Sequence, residues 1–329
     1  MNNRENILIT GTGSLIGQAI IKSIKKSSLR DDLALIGCDY FENTAGSHWC
    51  DKNYILPDLL QPGKEEDWKQ VLFSIIDRER IKAVFIGVDF ELSYFANLKA
   101  EIEKKCDCKV IVSDNRVIDI GNDKYQTYLF LKKHGLNAPG TLLLDEADMD
   151  NVQLPVIIKP RQGARSRGVE LIKDRGRLGE AVREKRGKGY ILQDAIGSTE
   201  TEYTCGILYW DEIYQDSIIL KRTLKEGNTF TAEFHGNEEI QIYSYIRAIG
   251  DALKPFGSCN LQLRTDKEGE PFLFEINPRF SGTTYMRALL GYNEVEYIIR
   301  KTLSQEVQAM HPKVGKVYRY YEEKLVGVV

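Results

Sequence analysis

Through the first 120 residues, short and almost unbroken apolar runs alternate with amphipathic stretches. The runs are ILITG (7–11), LALIGCD (33–39), YILPDL (54–59), AVFIGVD (83–89) and KVIVSD (109–114). Strands that are apolar on both faces and separated by helical patterns predict a parallel sheet covered on both sides. The pattern then changes. Residues 123–136, DKYQTYLFLKKHGL, repeat apolar positions such as Tyr128 and Leu131 at helical spacing, with Asp123 placed to cap the start and Gly135 the end. NAPGT (137–141) turns the chain into strands ending in VIIK (156–159), VELI (169–172), GYILQDAI (189–196) and SIILKR (217–222). Residues 238–254 and 284–303 read as helices, and 316–329 as a terminal strand.

Between those two helices lies SCNLQLRTDKEGEPFLFEINPRFSG (258–282), two strand-like runs joined by a turn-rich DKEGE. Folding about the Glu268–Gly269 bond sets Gln262 opposite Glu275. Alternation then puts Asn260, Gln262 and Arg264 on one face of the first strand and Leu273, Glu275 and Asn277 on one face of the second, with Phe272, Phe274 and Ile276 turned away. One carboxylate and two amide oxygens on a rigid hairpin suit Mg²⁺, which takes hard oxygen ligands together with water and nucleotide phosphate. The same residues also read as a polar strand face meeting solvent, with Glu275 and Arg279 as a surface pair.

Composition narrows the classes. The chain has 329 residues, 42% of them apolar, enough for two or three cores, and a net charge of -3 offers no footprint for nucleic acid or an anionic membrane surface. The longest apolar run is too short to span a bilayer, and the expectation is a soluble, cytoplasmic protein. Six cysteines show no disulfide framework, and the four histidines no zinc spacing.

Two glycine-rich stretches carry candidate chemistry. Gly11-Thr12-Gly13-Ser14-Leu15-Ile16-Gly17 follows the first strand, and Asp39 ends the second; this is the layout of a dinucleotide-binding turn, but its G-x-G-x-x-x-G spacing also serves simple helix-on-strand packing. An NAD(P)-dependent oxidoreductase is therefore the alternative reading. The second stretch, KPRQGARSRG (159–168), places Gly163, Gly168, Arg161, Arg165 and Arg167 after a buried strand that ends in Lys159. Backbone N–H groups and guanidiniums on a loop suit a polyphosphate, whereas a basic surface hairpin is the plain alternative. An amine at the end of VII needs an anionic partner, and the carboxylate of Glu202, or its neighbour Glu200, suits ribose hydroxyls.

Taken in order, Lys124, Lys159, the Gly/Arg loop, QDAI, Glu202, Gln262 and FEINPR resemble the ATP-grasp superfamily, in particular its branch with the carbamoyl phosphate synthase large subunit and biotin carboxylase. The resemblance covers residues 1 to about 303. It implies a Rossmann-like α/β domain (1–118), a small α+β subdomain with the glycine-rich lid (119–195), a large α+β subdomain with the metal site (196–303) and a tail strand (304–329). It further implies ATP and two Mg²⁺ ions, with Mn²⁺ as a substitute. Lys124, Lys159 and the loop would meet phosphate; Gln193, Asp194, Ala195 and Ile196 would flank adenine; Glu202 would bind ribose. Gln262 and Glu275 would hold one ion, Glu275 and Asn277 the other, with Arg279 facing the γ-phosphate or the attacking carboxylate. The implied reaction joins a small-molecule carboxylate to an amine through an acyl phosphate; phosphorylation of a small carboxylate or bicarbonate stays open, as does a homodimer. The two arginines in GARSRG depart from the mostly glycine loop of the biotin carboxylases, and the single grasp unit departs from the duplicated synthase subunit.

Overall fold

The computed structural model describes residues 4–163, 167–237 and 239–326. The fold is mixed α/β, built on three sheets. The first contains β1 (Glu5–Thr10), β2 (Leu33–Asp39), β3 (Lys52–Ile55), β4 (Ile81–Phe85) and β5 (Lys109–Ile111), in the order β3-β2-β1-β4-β5 with every pair parallel. Helices α1 (Leu15–Lys26), α2 (Glu65–Arg78), α3 (Leu92–Lys105) and α4 (Asn115–Asn122) connect and flank these strands. Because side chains alternate, Ile7 and Ile9 pack toward Ile20 and Ile24 of α1 while Leu8 and Val84 pack toward Trp68, Leu72 and Phe95 of α2 and α3. Both faces are apolar, which is why the strands read as continuous apolar runs. The strand order reverses between β1 and β4, opening a crevice at their carboxyl ends.

Helix α5 (Lys124–Lys133) leads into a four-stranded antiparallel sheet of β6 (Thr141–Leu143), β7 (Val156–Pro160), β8 (Glu170–Ile172) and β9 (Tyr190–Asp194), ordered β6-β9-β7-β8. Its helix α6 (Arg175–Lys185) buries Leu178, Ala181 and Val182 against Ile158, Ile172 and Leu192. A six-stranded sheet follows, with β10 (Glu202–Trp210), β11 (Ile213–Lys225), β12 (Asn228–Phe234), β13 (Gly257–Thr265), β14 (Pro271–Asn277) and β15 (Gly315–Tyr318), ordered β14-β13-β10-β11-β12-β15. Helix α7 (Ile240–Leu253) covers one face, on Cys205, Ile207, Tyr209, Leu261 and Leu263. The opposite face carries the polar residues of β10, β13 and β14.

Beyond the tail, where the strand predicted over 316–329 is confined among the described residues to Gly315–Tyr318, two local readings change. Gln262 does pair with Glu275, but the next pair is Leu263 with Leu273, so Phe274 is an extra residue in a β-bulge. Leu273 therefore joins the core under α7, and Phe272 and Phe274 turn to the same cleft as Glu275. The second change is at 284–303, which forms two helices, α8 (Thr284–Leu289) and α9 (Glu294–Thr302). Gly291 breaks them with φ +99°, and a Cβ there would stand 2.9 Å from the His311 carbonyl oxygen.

Candidate active site

The polar face of the six-stranded sheet looks across at the four-stranded sheet, with a cleft of about 130 Å³ between them. Lys159 comes from the end of β7 on one wall. It is 4% exposed, and its Nζ donates to Gln193 Oε1 at 2.7 Å, while Gln193 Nε2 donates to Thr141 Oγ1 at 2.9 Å. Register explains the chain of contacts, since Gln193 on β9 stands beside Ile157 on β7 and Thr141 on β6. Burial pushes the Lys159 amine down to about 7; Glu275 pulls it up, and Lys124 and Arg264 push it further down. Lys124, the first residue of α5, is also buried and donates from Nζ to the Gly163 carbonyl at 3.1 Å.

The basic loop divides its roles. Arg161 donates from Nε to both Asp123 oxygens, at 3.1 and 3.2 Å, and from Nη2 to Asp123 Oδ2. Asp123 at the same time caps α5 by accepting from Tyr125 N at 2.9 Å. Arg161 thus ties the loop base to a helix cap rather than facing phosphate. Gly163 and Arg167 line the cleft, Gly168 packs under the Tyr190 hydroxyl, and Arg165 lies outside the described residues. Pro139, Ile157, Ile196, Leu224, Phe272 and Phe274 line the same cleft and make an apolar slot suited to a flat ring. Asp194 borders it, and Ala195 donates its backbone N–H to the Pro155 carbonyl at 3.4 Å.

Glu202 is not an open acceptor. Its Oε1 accepts from Arg222 Nε at 2.9 Å and Nη2 at 2.6 Å, and its Oε2 accepts from Arg264 Nε at 2.9 Å and Nη2 at 2.7 Å. Four N–H donors fill the roughly four acceptor positions of a carboxylate. A ribose hydroxyl would have to displace one of them, which departs from the sequence expectation. Sequence reasoning passed over Arg222 and Arg264 as site residues. The signal was present only through pairing: Glu202 sits opposite Arg264, and Tyr203 opposite Lys221, so Arg222 falls on the Glu202 face.

Around Glu275 the two amides present nitrogen, not oxygen. Gln262 Nε2 donates to Glu275 Oε1 at 3.4 Å and Asn277 Nδ2 donates to the same oxygen at 2.9 Å. Each amide oxygen is held by an arginine: Gln262 Oε1 by Arg222 Nη2 at 2.7 Å, and Asn277 Oδ1 by Arg279 Nη2 at 2.9 Å. Arg279 also donates to the Phe280 carbonyl at 2.9 Å and pairs through Nε with Asp89 Oδ1 at 2.5 Å. The residue therefore links the hairpin to the first sheet.

Two family models cover adjoining parts of the chain. One, described as an ATP-grasp domain, matches residues 121–208; the other, described as ATP-grasp in the biosynthetic pathway with Ter operon, matches 199–324. The chain belongs to the ATP-grasp superfamily. Among ATP-grasp relatives, carbamoyl-phosphate synthase of Methanobrevibacter smithii is 27% identical over 260 residues, 74% of this chain and 69% of that protein. Two solved structures share the ATP-grasp fold at low identity. N5-carboxyaminoimidazole synthetase from Staphylococcus aureus, complexed with ADP, has a TM-score of 0.72 at 12% identity, covering 95% of this chain and 82% of that one. An L-amino acid ligase from Bacillus licheniformis has a TM-score of 0.71 at 18% identity, covering 92% and 75%.

For an ATP-grasp chain a divalent ion is implied, and the donor set here suits such an ion. Glu275 supplies a carboxylate whose Oε2 has no hydrogen-bond partner among the described residues, and turning the Asn277 amide would bring its hard oxygen to the same side. The N-terminal turn of this ATP-grasp protein is packed on itself. A Cβ at Gly17 would stand 2.2 Å from the Gly11 carbonyl oxygen, and Asp39 Oδ2 accepts from Gly13 N at 2.7 Å while its Oδ1 accepts from Tyr40 N at 2.8 Å. Nearby, fully buried Glu91 accepts from Thr10 Oγ1 and, at 2.6 Å, from the Tyr40 hydroxyl; burial pushes its carboxyl up to about 7.

Proposed function

We propose that this chain is an ATP- and Mg²⁺-dependent ligase. A carboxylate oxygen attacks the γ-phosphorus, the bond to the β-phosphate oxygen breaks, and ADP and an acyl phosphate form. An amine then adds to the acyl carbon and displaces phosphate. The observation that carries this reading is the convergence of Lys124, Lys159 and Arg167 on a cleft that holds Glu275 and an apolar slot, in a chain of this superfamily.

In this reading the base enters the slot between Ile157, Ile196 and the two phenylalanines, along the backbone of 194–196. Lys159 and Lys124 then meet phosphate oxygens, and a bound anion restores the Lys159 charge that burial suppresses. Glu202 acts through Arg222 and Arg264, while Glu200, exposed on the turn Thr199–Thr201, is the neighbouring carboxylate for ribose. When bound, Mg²⁺ neutralises charge on the transferring phosphoryl group. Arg279 is the residue to receive the incoming carboxylate: its fork lies against Asn277, and its partner Asp89 is half exposed, so one anion can exchange for another.

The test is trapping. With ATP, Mg²⁺ and a carboxylate found by screening amino acids, small dicarboxylates and bicarbonate, hydroxylamine gives an acyl hydroxamate. Arg279→Lys reduces trapping far more than nucleotide affinity, because lysine cannot hold two oxygens at once. Phosphate appearing on a substrate hydroxyl, with no trappable acyl species, would make the enzyme a kinase and end the ligase reading.

A further inference from the structure

Five side chains form a line across the cleft floor: Arg222, Gln262, Glu275, Asn277 and Arg279. Its two ends differ. Arg279 pairs with Asp89, whose side chain is half exposed, so the Asn277 oxygen can be released when another anion takes the guanidinium. Arg222 has no such freedom. Its side chain is 8% exposed, Nε and Nη2 are fixed on Glu202 Oε1, and Glu202 is itself clamped by Arg264.

Turning the Gln262 amide so that oxygen faces Glu275 would bring Nε2 to the place of Oε1, 2.7 Å from Arg222 Nη2. Two donors would then oppose each other at hydrogen-bond distance, leaving a buried guanidinium N–H without an acceptor. An ion shared by Gln262 and Glu275 would also stand beside an immobile positive charge. The residues do not fit a second ion at this position.

We propose that Gln262 is a hydrogen-bonded link to Arg222 and not an ion ligand, so that the site holds a single divalent ion, at Glu275 and Asn277. Arg222 supplies the fixed positive charge on the side where a second ion would stand. It is a positioning residue for Gln262 and a permanent counter-charge for the nucleotide. The inference rests on the reading that this cleft takes ATP with a divalent ion.

The experiment counts ions on the full chain. Mn²⁺ binding is followed by loss of the free-ion electron paramagnetic resonance signal, at saturating non-hydrolysable ATP analogue. One Mn²⁺ per chain is expected, with no spin-coupled pair; two per chain overturn the inference. Gln262→Ala should keep the count at one and the Mn²⁺ affinity within about threefold of the parent, whereas a loss beyond tenfold makes Gln262 a ligand. If that variant does not fold, Gln262→Met decides, because it keeps the side-chain volume but offers no hard oxygen: a count of one with Mn²⁺ affinity within about threefold of the parent supports the link, and a loss beyond tenfold makes Gln262 a ligand. Failure to bind nucleotide at all would instead defeat the ATP reading, so the two failures are separable.

Discussion

With Lys159 against phosphate as proposed, nucleotide binding becomes a proton-uptake reaction. Its folded value of about 7 lies well below the ordinary lysine range because the amine is buried between two sheets. The unfolded chain therefore holds this proton more tightly than the folded chain between about pH 7 and 10.4, and the contribution of Lys159 to stability rises with pH across that window. A phosphate against Nζ reverses the shift. Taking the bound amine back to an ordinary value of about 10.4, affinity falls about 20-fold between pH 7.5 and 9, with about one proton taken up per nucleotide near pH 8.5. ADP with Mg²⁺ is the ligand of choice, since its terminal phosphate is already ionised there. Isothermal titration calorimetry at pH 8.5 in buffers of different ionisation enthalpy reads the uptake directly. Lys159→Met should bind more weakly and take up no proton. Affinity that is flat from pH 7.5 to 9, or the same uptake in Lys159→Met, refutes the argument.

Other consequences can be measured on single variants. Glu275→Gln should leave the melting curve near that of the parent and lower turnover on the order of 10²–10³-fold or more, since it removes the one charged ion ligand; parental turnover would contradict the assignment. Glu202→Ala leaves Arg222 buried without its carboxylate and should cost about 3–5 kcal/mol in urea unfolding. Gly206→Ala drives a Cβ to within 2.6 Å of Nη1 of Arg287, which is fully buried against Glu294, and should destabilise by about 1–3 kcal/mol. Glu91 binds its proton more tightly folded than unfolded, so stability should fall by about 3 kcal/mol as pH rises from 4.5 to 7. Glu91→Gln should flatten that slope.

Local pattern carried much of this. The apolar runs of β1, β2, β4 and β5 are legible because both faces of a parallel sheet are buried. The Gln262–Glu275 pairing is legible because a tight turn fixes register. One extra residue defeats the same logic: the bulge at Phe274 reverses the faces of Leu273 and Phe272 without any marker such as glycine. Long-range partners were out of reach. Arg161 meets Asp123 across 38 positions, Arg264 meets Glu202 across 62, and Arg279 meets Asp89 across 190. Which charges remain for a ligand depends on these pairings, and strand order decides them.

The outermost strand of the six-stranded sheet matters for how the chain is made. Among the described residues β15 pairs with β12 alone, through Thr231–Tyr318 to Phe234–Gly315, and Arg319 reaches on to the Gly282 carbonyl. Some 80 residues separate β12 from β15, so at a synthesis rate of about 5–20 residues per second the edge of β12 waits roughly 4–16 s for its partner. During that interval a row of backbone donors and acceptors on β12 is open to any other extended segment. A nascent chain stalled before residue 315 would thus hold most of its cleft residues and still be adhesive; once β15 pairs, the exposed edge shrinks from the seven residues of β12 to the four of β15.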